Sequence, residues 1–191
     1  GFDTTWEGSF KRLMEMSTES IAKDPKTFYE NFTNFKRNID RMYWSLHNGT
    51  NDRVLIEKIK KAQATRTVYI PHYKMVNGAL ELDEELTEFI PITPLHENFV
   101  SIITELHDKL VIAQDTFMPR LIELVSTGDD IYKLQLTRKA NISRLKLALE
   151  ELFSTNPEVW NAYTDPTSPV RQNLERICNL YANKNDEALQ F

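Results

Sequence analysis

Apolar residues at Phe28, Phe32, Phe35, Ile39, Met42 and Leu46 recur in alternating steps of four and three, which places all six on one face of a helix. Two further stripes share that spacing. Leu95, Phe99, Ile102, Leu106, Leu110, Ala113 and Phe117 form one, and Ile131, Leu134, Ile142, Leu145, Leu149 and Leu152 the other. Around them the chain is punctuated by helix signals. Thr4-Thr5-Trp6-Glu7 has the form of a capping box, in which the Thr4 hydroxyl and the Glu7 carboxylate satisfy free amide hydrogens. Trp6, Phe10, Leu13, Met14 and Ile21 then trace one face of a first helix. Asp24 is the expected N-cap of the second, with Pro25 at its first position, where a missing N–H costs nothing. That helix is expected to stop near His47-Asn48-Gly49. Asn51 or Asp52 caps a third, with Leu55, Ile56, Ile59 and Ala62 facing inward.

The helical pattern breaks after Ala64. Thr65, Thr67, Val68, Tyr69 and Ile70 are β-branched or aromatic, and Pro71 blocks a helix from running on. Tyr73–Val76 and Ala79–Leu82 flank Asn77-Gly78, the pair favoured in a type I′ turn because both positions need positive φ. This predicts a small β-hairpin. The acidic stretch Glu81, Asp83, Glu84, Glu85, Glu88 is expected to form one or two helical turns. Residues 90–94 must be extended, because Pro91 and Pro94 push their predecessors out of the helical region.

Thr93 and Pro94 open the fourth helix, which Pro119 kinks or divides from a short helix carrying Leu121, Ile122, Leu124 and Val125. Ser126-Thr127-Gly128-Asp129 reads as a stop and a new cap. The fifth long helix ends at Asn156-Pro157. A short helix with Val159, Trp160 and Tyr163 and a last one with Val170, Leu174, Ile177 and Tyr181 complete the array, and the polar tail 182–191 is expected to fray. The expected fold is therefore all-α: an irregular bundle of five or more main helices with at most a small β-hairpin excursion at about 67–82. The expected organisation is a three-helix part at 1–66, an irregular connector at 67–94 and a helical part at 95–191, together making one unit.

Composition narrows the chemistry. The 191 residues include one cysteine, Cys178, so neither an intrachain disulfide nor a cysteine-type zinc site is available. This fits a reducing, cytoplasmic setting for a soluble protein. The chain opens on Gly1-Phe2 rather than methionine, which fits a processed or truncated N-terminus. Asn31, Asn48 and Asn141 begin glycosylation-type triplets. Two of these fall in predicted helices, and all three are expected to be chance matches. His96 and His107 are eleven residues apart on one predicted helix. They would stand roughly 16 Å apart, too far to share a metal. No Gly-x-Ser-x-Gly elbow or glycine-rich phosphate loop occurs, and Cys178 beside Ile177 reads as an inert core thiol. No metal, cofactor or catalytic residue is assigned.

Charge is unevenly spread. Residues 1–66 carry a net of +3, residues 67–98 a net of -5, and the whole chain -5. Lys36, Arg37, Arg41, Lys60 and Lys61, with Arg53, Lys58 and Arg66 nearby in sequence, are the candidate contacts for an anionic partner such as RNA or a phospholipid surface. The favoured alternative is a solvated exterior. Tyr29, Tyr43 and Trp44 widen the apolar face of the second helix and are expected to be core.

Three readings of function follow. The first is a non-catalytic protein–protein interaction module (an assembly, adaptor or regulatory subunit). It would bind a protein partner or a second copy through residues 68–92, with Tyr69, Tyr73, Met75, Val76, Leu80, Leu82 and Phe89 as contacts. That segment is too apolar for a solvated linker, and a hairpin there offers open strand edges. The second is a helical enzyme or small-ligand binder with its site near 65–96, using His72, Tyr73 and His96. The third is the anionic-surface binder.

Overall fold

The computed structural model describes residues 6–47, 49–116, 119 and 136–189. Its helices are α1 (Trp6–Glu15), α2 (Thr18–Lys23), α3 (Pro25–Leu46), α4 (Arg53–Ala64), α5 (Pro94–Thr116), α6 (Leu136–Ser154), α7 (Pro157–Thr164) and α8 (Pro169–Leu189). Between α4 and α5 lie four strands: β1 (Thr67–Ile70), β2 (Tyr73–Val76), β3 (Ala79–Leu82) and β4 (Glu88–Pro91).

Those strands correct the all-α expectation. The chain is mostly helical, but it carries two separate antiparallel sheets of two strands each. β2 and β3 form the hairpin, with Tyr73 opposite Leu82 and Met75 opposite Leu80. Asn77 and Gly78 turn it at φ of 52° and 82°, both in the left-handed region that a type I′ turn requires. The second sheet pairs β1 with β4, Val68 opposite Ile90 and Tyr69 opposite Phe89, so strand structure reaches Pro91 rather than ending near residue 82. The acidic stretch is not helical. The Asp83 carboxylate accepts from the amides of Glu85 (3.1 Å) and Leu86 (3.3 Å), making a turn, and Glu88 enters β4.

The first predicted helix is also two. Ser17 is extended (φ -75°, ψ 162°), and its hydroxyl accepts from the Ser20 amide at 3.1 Å, capping α2. The spacing from Met14 to Ile21 fits an unbroken helix, but the Ser17 side chain competes for the backbone amides and starts a new helix there. The other expected caps are present. Asp24 Oδ1 accepts from the Thr27 amide (3.1 Å), Asp52 Oδ1 from Val54 (2.9 Å), and Thr93 Oγ1 from His96 (3.1 Å). At the C-terminus α8 continues through the polar residues to Leu189, where fraying was expected. The box at Thr4, Phe117 and the residues on either side of Pro119, the helix at 121–125, the 126–129 stop, and Ile131 and Leu134 lie outside the described residues.

The chain divides into two compact units, Gly1–Asp40 with Ser101–Asn161 and Arg41–Val100 with Ala162–Phe191. In the first, Leu13, Ile21, Phe28, Phe32, Phe35 and Ile39 are buried, as are Ile103, Leu106, Leu110 and Leu149. Each such side chain contributes about 1.5–3 kcal/mol by leaving water. An aromatic group completes that core: Phe10 meets Phe153 at 4.8 Å, and Trp6 meets Trp160 edge-on at 5.2 Å.

The second unit holds both sheets. Val68, Tyr69 and Ile70 of β1 are buried with Leu55, Ile59 and Ala62 of α4 and Ile177 of α8, and Leu82, Ile90 and Ile92 pack against this cluster. Three consecutive buried residues mean that β1 is covered on both faces, hence its continuous rather than alternating apolar run. Trp44 is about half exposed rather than core, and it covers the backbone at Gly49.

Candidate functional site

All of the features described below belong to the second unit unless stated. In an antiparallel pair, residues directly opposite each other share a face, so Tyr73, Met75, Leu80 and Leu82 line one side of the hairpin. Its base and tip differ. Leu82 packs against the buried cluster and Tyr73 is half-buried, whereas Met75 is 65% and Leu80 67% exposed. Val76 lies on the opposite face and is half-buried. Leu86 and Phe89 are exposed as well, so four of the eight large hydrophobic side chains exposed among the described residues fall between 75 and 89.

Tyr69 is the predicted contact that the fold withdraws. It is buried in β1, and its ring meets Phe89 at 5.6 Å, leaving Phe89 as the outer member of the pair. The seven predicted contacts therefore separate into a bare tip (Met75, Leu80), the exposed Phe89, three half-buried residues and one core residue.

A charged cluster borders β4. His72 Nε2 lies 2.9 Å from Glu88 Oε2, and Arg176 of α8 pairs with the other Glu88 oxygen. The Arg176 hydrogen bond first, and the one from His72 second, hold the Glu88 carboxyl below its ordinary range. Lys58 pairs with Glu84 at 2.8 Å, and Arg66 with Glu97. The acidic connector thus takes up basic side chains of its own unit. Among the proposed anion contacts, Lys36 in the first unit donates to Asp40 at 2.8 Å, while Arg37 in that unit and Arg41, Lys60 and Lys61 in the second are exposed.

A cavity of about 170 Å³ opens between β4, the start of α5, and α7 and α8. Its walls are Ile90, Val170, Leu174 and Ile177, with Tyr163, which stacks on Phe99. Thr93, His96 and Asn173 supply its polar groups. Burial lowers the His96 pKa against the opposing charge of Glu97, which favours the neutral imidazole, and burial likewise pushes Tyr163 up to about 12. His96 is a predicted site residue. Tyr163 is not, because its helical spacing marks only a buried stripe, and Asn173 is not, because a single amide between Val170 and Leu174 forms no motif.

Cys178 has its thiol pushed up to about 11 by burial, which keeps it out of the reactive thiolate form. Among the described residues no group of three or more His, Cys, Asp or Glu side chains is placed to hold a metal ion. No described helix is long and apolar enough to cross a membrane. Comparisons with known protein families, curated proteins and solved structures return no match.

Proposed function

We propose that this chain is a non-catalytic interaction module that engages a protein partner or a second copy of itself through the β2–β3 hairpin tip and the outer face of β4. One observation supports this above the others: Met75 and Leu80 face each other across the hairpin, both about two-thirds exposed, on a strand pair whose base is tied to the core through Leu82. A two-stranded ribbon has open backbone edges, and its bare apolar face adds side-chain affinity to strand pairing. Covering Met75 and Leu80 would contribute about 1.5–3 kcal/mol each. Phe89 and Leu86 extend the apolar surface on the same connector.

The test is site-specific photocrosslinking from position 75 in the source cells, paired with sedimentation of the purified chain. A discrete adduct, to one defined protein or to a second copy, that disappears on Leu80→Asp supports the reading. A purified chain that is monomeric at every concentration and gives no adduct from position 75 refutes it.

A further inference from the structure

We infer that the cavity between β4, α5, α7 and α8 is a binding site for a small, neutral aromatic heterocycle bearing a ring N–H. This goes beyond the interaction module and does not depend on it.

Three observations set the ligand's character. The first is size: at about 170 Å³ the cavity is close to the roughly 150 Å³ of an engineered apolar cavity that admits benzene. It suits one or two fused rings. The second is charge. None of the nine lining residues is an Asp, Glu, Lys or Arg. The nearest charges, Arg176 against Asn173 and Glu97 beside His96, are already paired with Glu88 and Arg66, so a charged ligand would lose its water without gaining a counter-ion of its own, and the occupant is neutral.

The third is the arrangement of polar groups. The Thr93 hydroxyl accepts from the His96 amide as the cap of α5, and the Asn173 carbonyl oxygen accepts from Arg176 Nη1 at 3.2 Å. Each of those oxygens already holds one hydrogen bond, and a neutral imidazole nitrogen accepts more strongly than either, or than the Tyr163 hydroxyl, so His96 is the strongest acceptor on the lining. Among the described residues nothing hydrogen-bonds the His96 ring, and burial favours its neutral form, whose bare nitrogen can accept an N–H. Pockets of this kind, apolar with one or two placed polar groups, orient small ligands by such a contact.

Indole and 1-methylindole are the probes. They share ring and shape, but only indole carries the N–H. In an NMR titration of the full chain, indole should give saturable shifts confined to the amides around Ile90, Thr93–His96 and Val170–Ile177. 1-Methylindole should bind about fivefold more weakly, the effect of one neutral hydrogen bond. His96→Phe should make the two probes equal, and Val170→Trp, placing bulk at a half-buried lining position, should abolish both. Absence of saturation with indole, shifts elsewhere on the chain, or equal affinity of the two probes for the unmodified chain would overturn the assignment. The comparison of probes on the unmodified chain needs no variant to fold.

Discussion

Phe99 and Tyr163 stack face to face, their ring centroids 3.8 Å apart and their planes 2° from parallel. Both are essentially fully buried, and the pair joins the first turns of α5 to the end of α7 within the second unit. Because Tyr163 also lines the His96 cavity, the stack sets the position of that wall. Phe99→Ala should destabilise the chain by about 3–5 kcal/mol, the range for emptying a buried phenylalanine site. Urea denaturation checks this, and a loss below 1 kcal/mol, on the order of a surface substitution, would show that the stack carries little.

Alkaline pH should act through Tyr163. Its phenol is pushed up to about 12 by burial, above the unfolded value of 10. A group that holds its proton more tightly when folded stabilises below the unfolded pKa and loses that contribution as pH rises through the folded one. Stability should therefore fall between pH 10 and 12, by on the order of 1–3 kcal/mol from this residue. Tyr163→Phe should flatten that part of the pH profile relative to the unmodified chain, read by denaturant midpoints at pH 9 and about 11.

The acid limb belongs in part to Glu88. Its carboxyl is held low by Arg176 and then by His72, so its stabilisation is present above the unfolded pKa of about 4.3 and is lost as pH falls through the lowered one. The side chain is a third exposed, which keeps the effect under about 1 kcal/mol. Glu88→Gln should lower stability at pH 7 and leave it nearly unchanged at pH 2. An equal loss at both pH values would mean that packing, not charge, is being measured.

Gly49 should tolerate no side chain while Trp44 is present. A Cβ built there would lie 1.9 Å from Trp44 Cε3, and the Gly49 amide donates to the Trp44 carbonyl at 2.7 Å. Gly49→Ala should cost about 1–3 kcal/mol, as overpacking does. In a Trp44→Ala background the same change should cost only a few tenths of that. A double-mutant cycle without coupling would show that the clash relaxes at no cost.

The hairpin turn separates backbone strain from packing. Gly78 has φ of 82° and nothing within 4 Å of an added Cβ, so Gly78→Ala introduces no clash. Its cost, about 1 kcal/mol, should come from the left-handed backbone alone. Hydrogen exchange of the β2–β3 amides should speed up while amides in α4 and α5 are unaffected.

Much of the helical part was legible because its signals are local. The Phe28–Leu46 stripe, the caps at Asp24, Asp52 and Thr93, and the Asn77-Gly78 turn each depend on residues within a few positions of one another. The helical period or the turn geometry is already present in that spacing. What lay beyond the sequence was the pairing of β1 with β4. It joins Tyr69 to Phe89 across the whole hairpin and turns an expected helix-with-excursion into two sheets. No periodic pattern encodes such a partner, because the strand energy comes from hydrogen bonds and burial supplied by distant chain. The same holds for the candidate sites. Alternation in β2 and β3 put Met75 and Leu80 on one face, but only packing decided that Leu82 is covered and they are not. The cavity needed β4, α5, α7 and α8 brought together, so that His96, Tyr163 and Asn173, separate in the chain, line one space. Local chemistry chose the elements, and non-local burial chose which of their faces water still reaches.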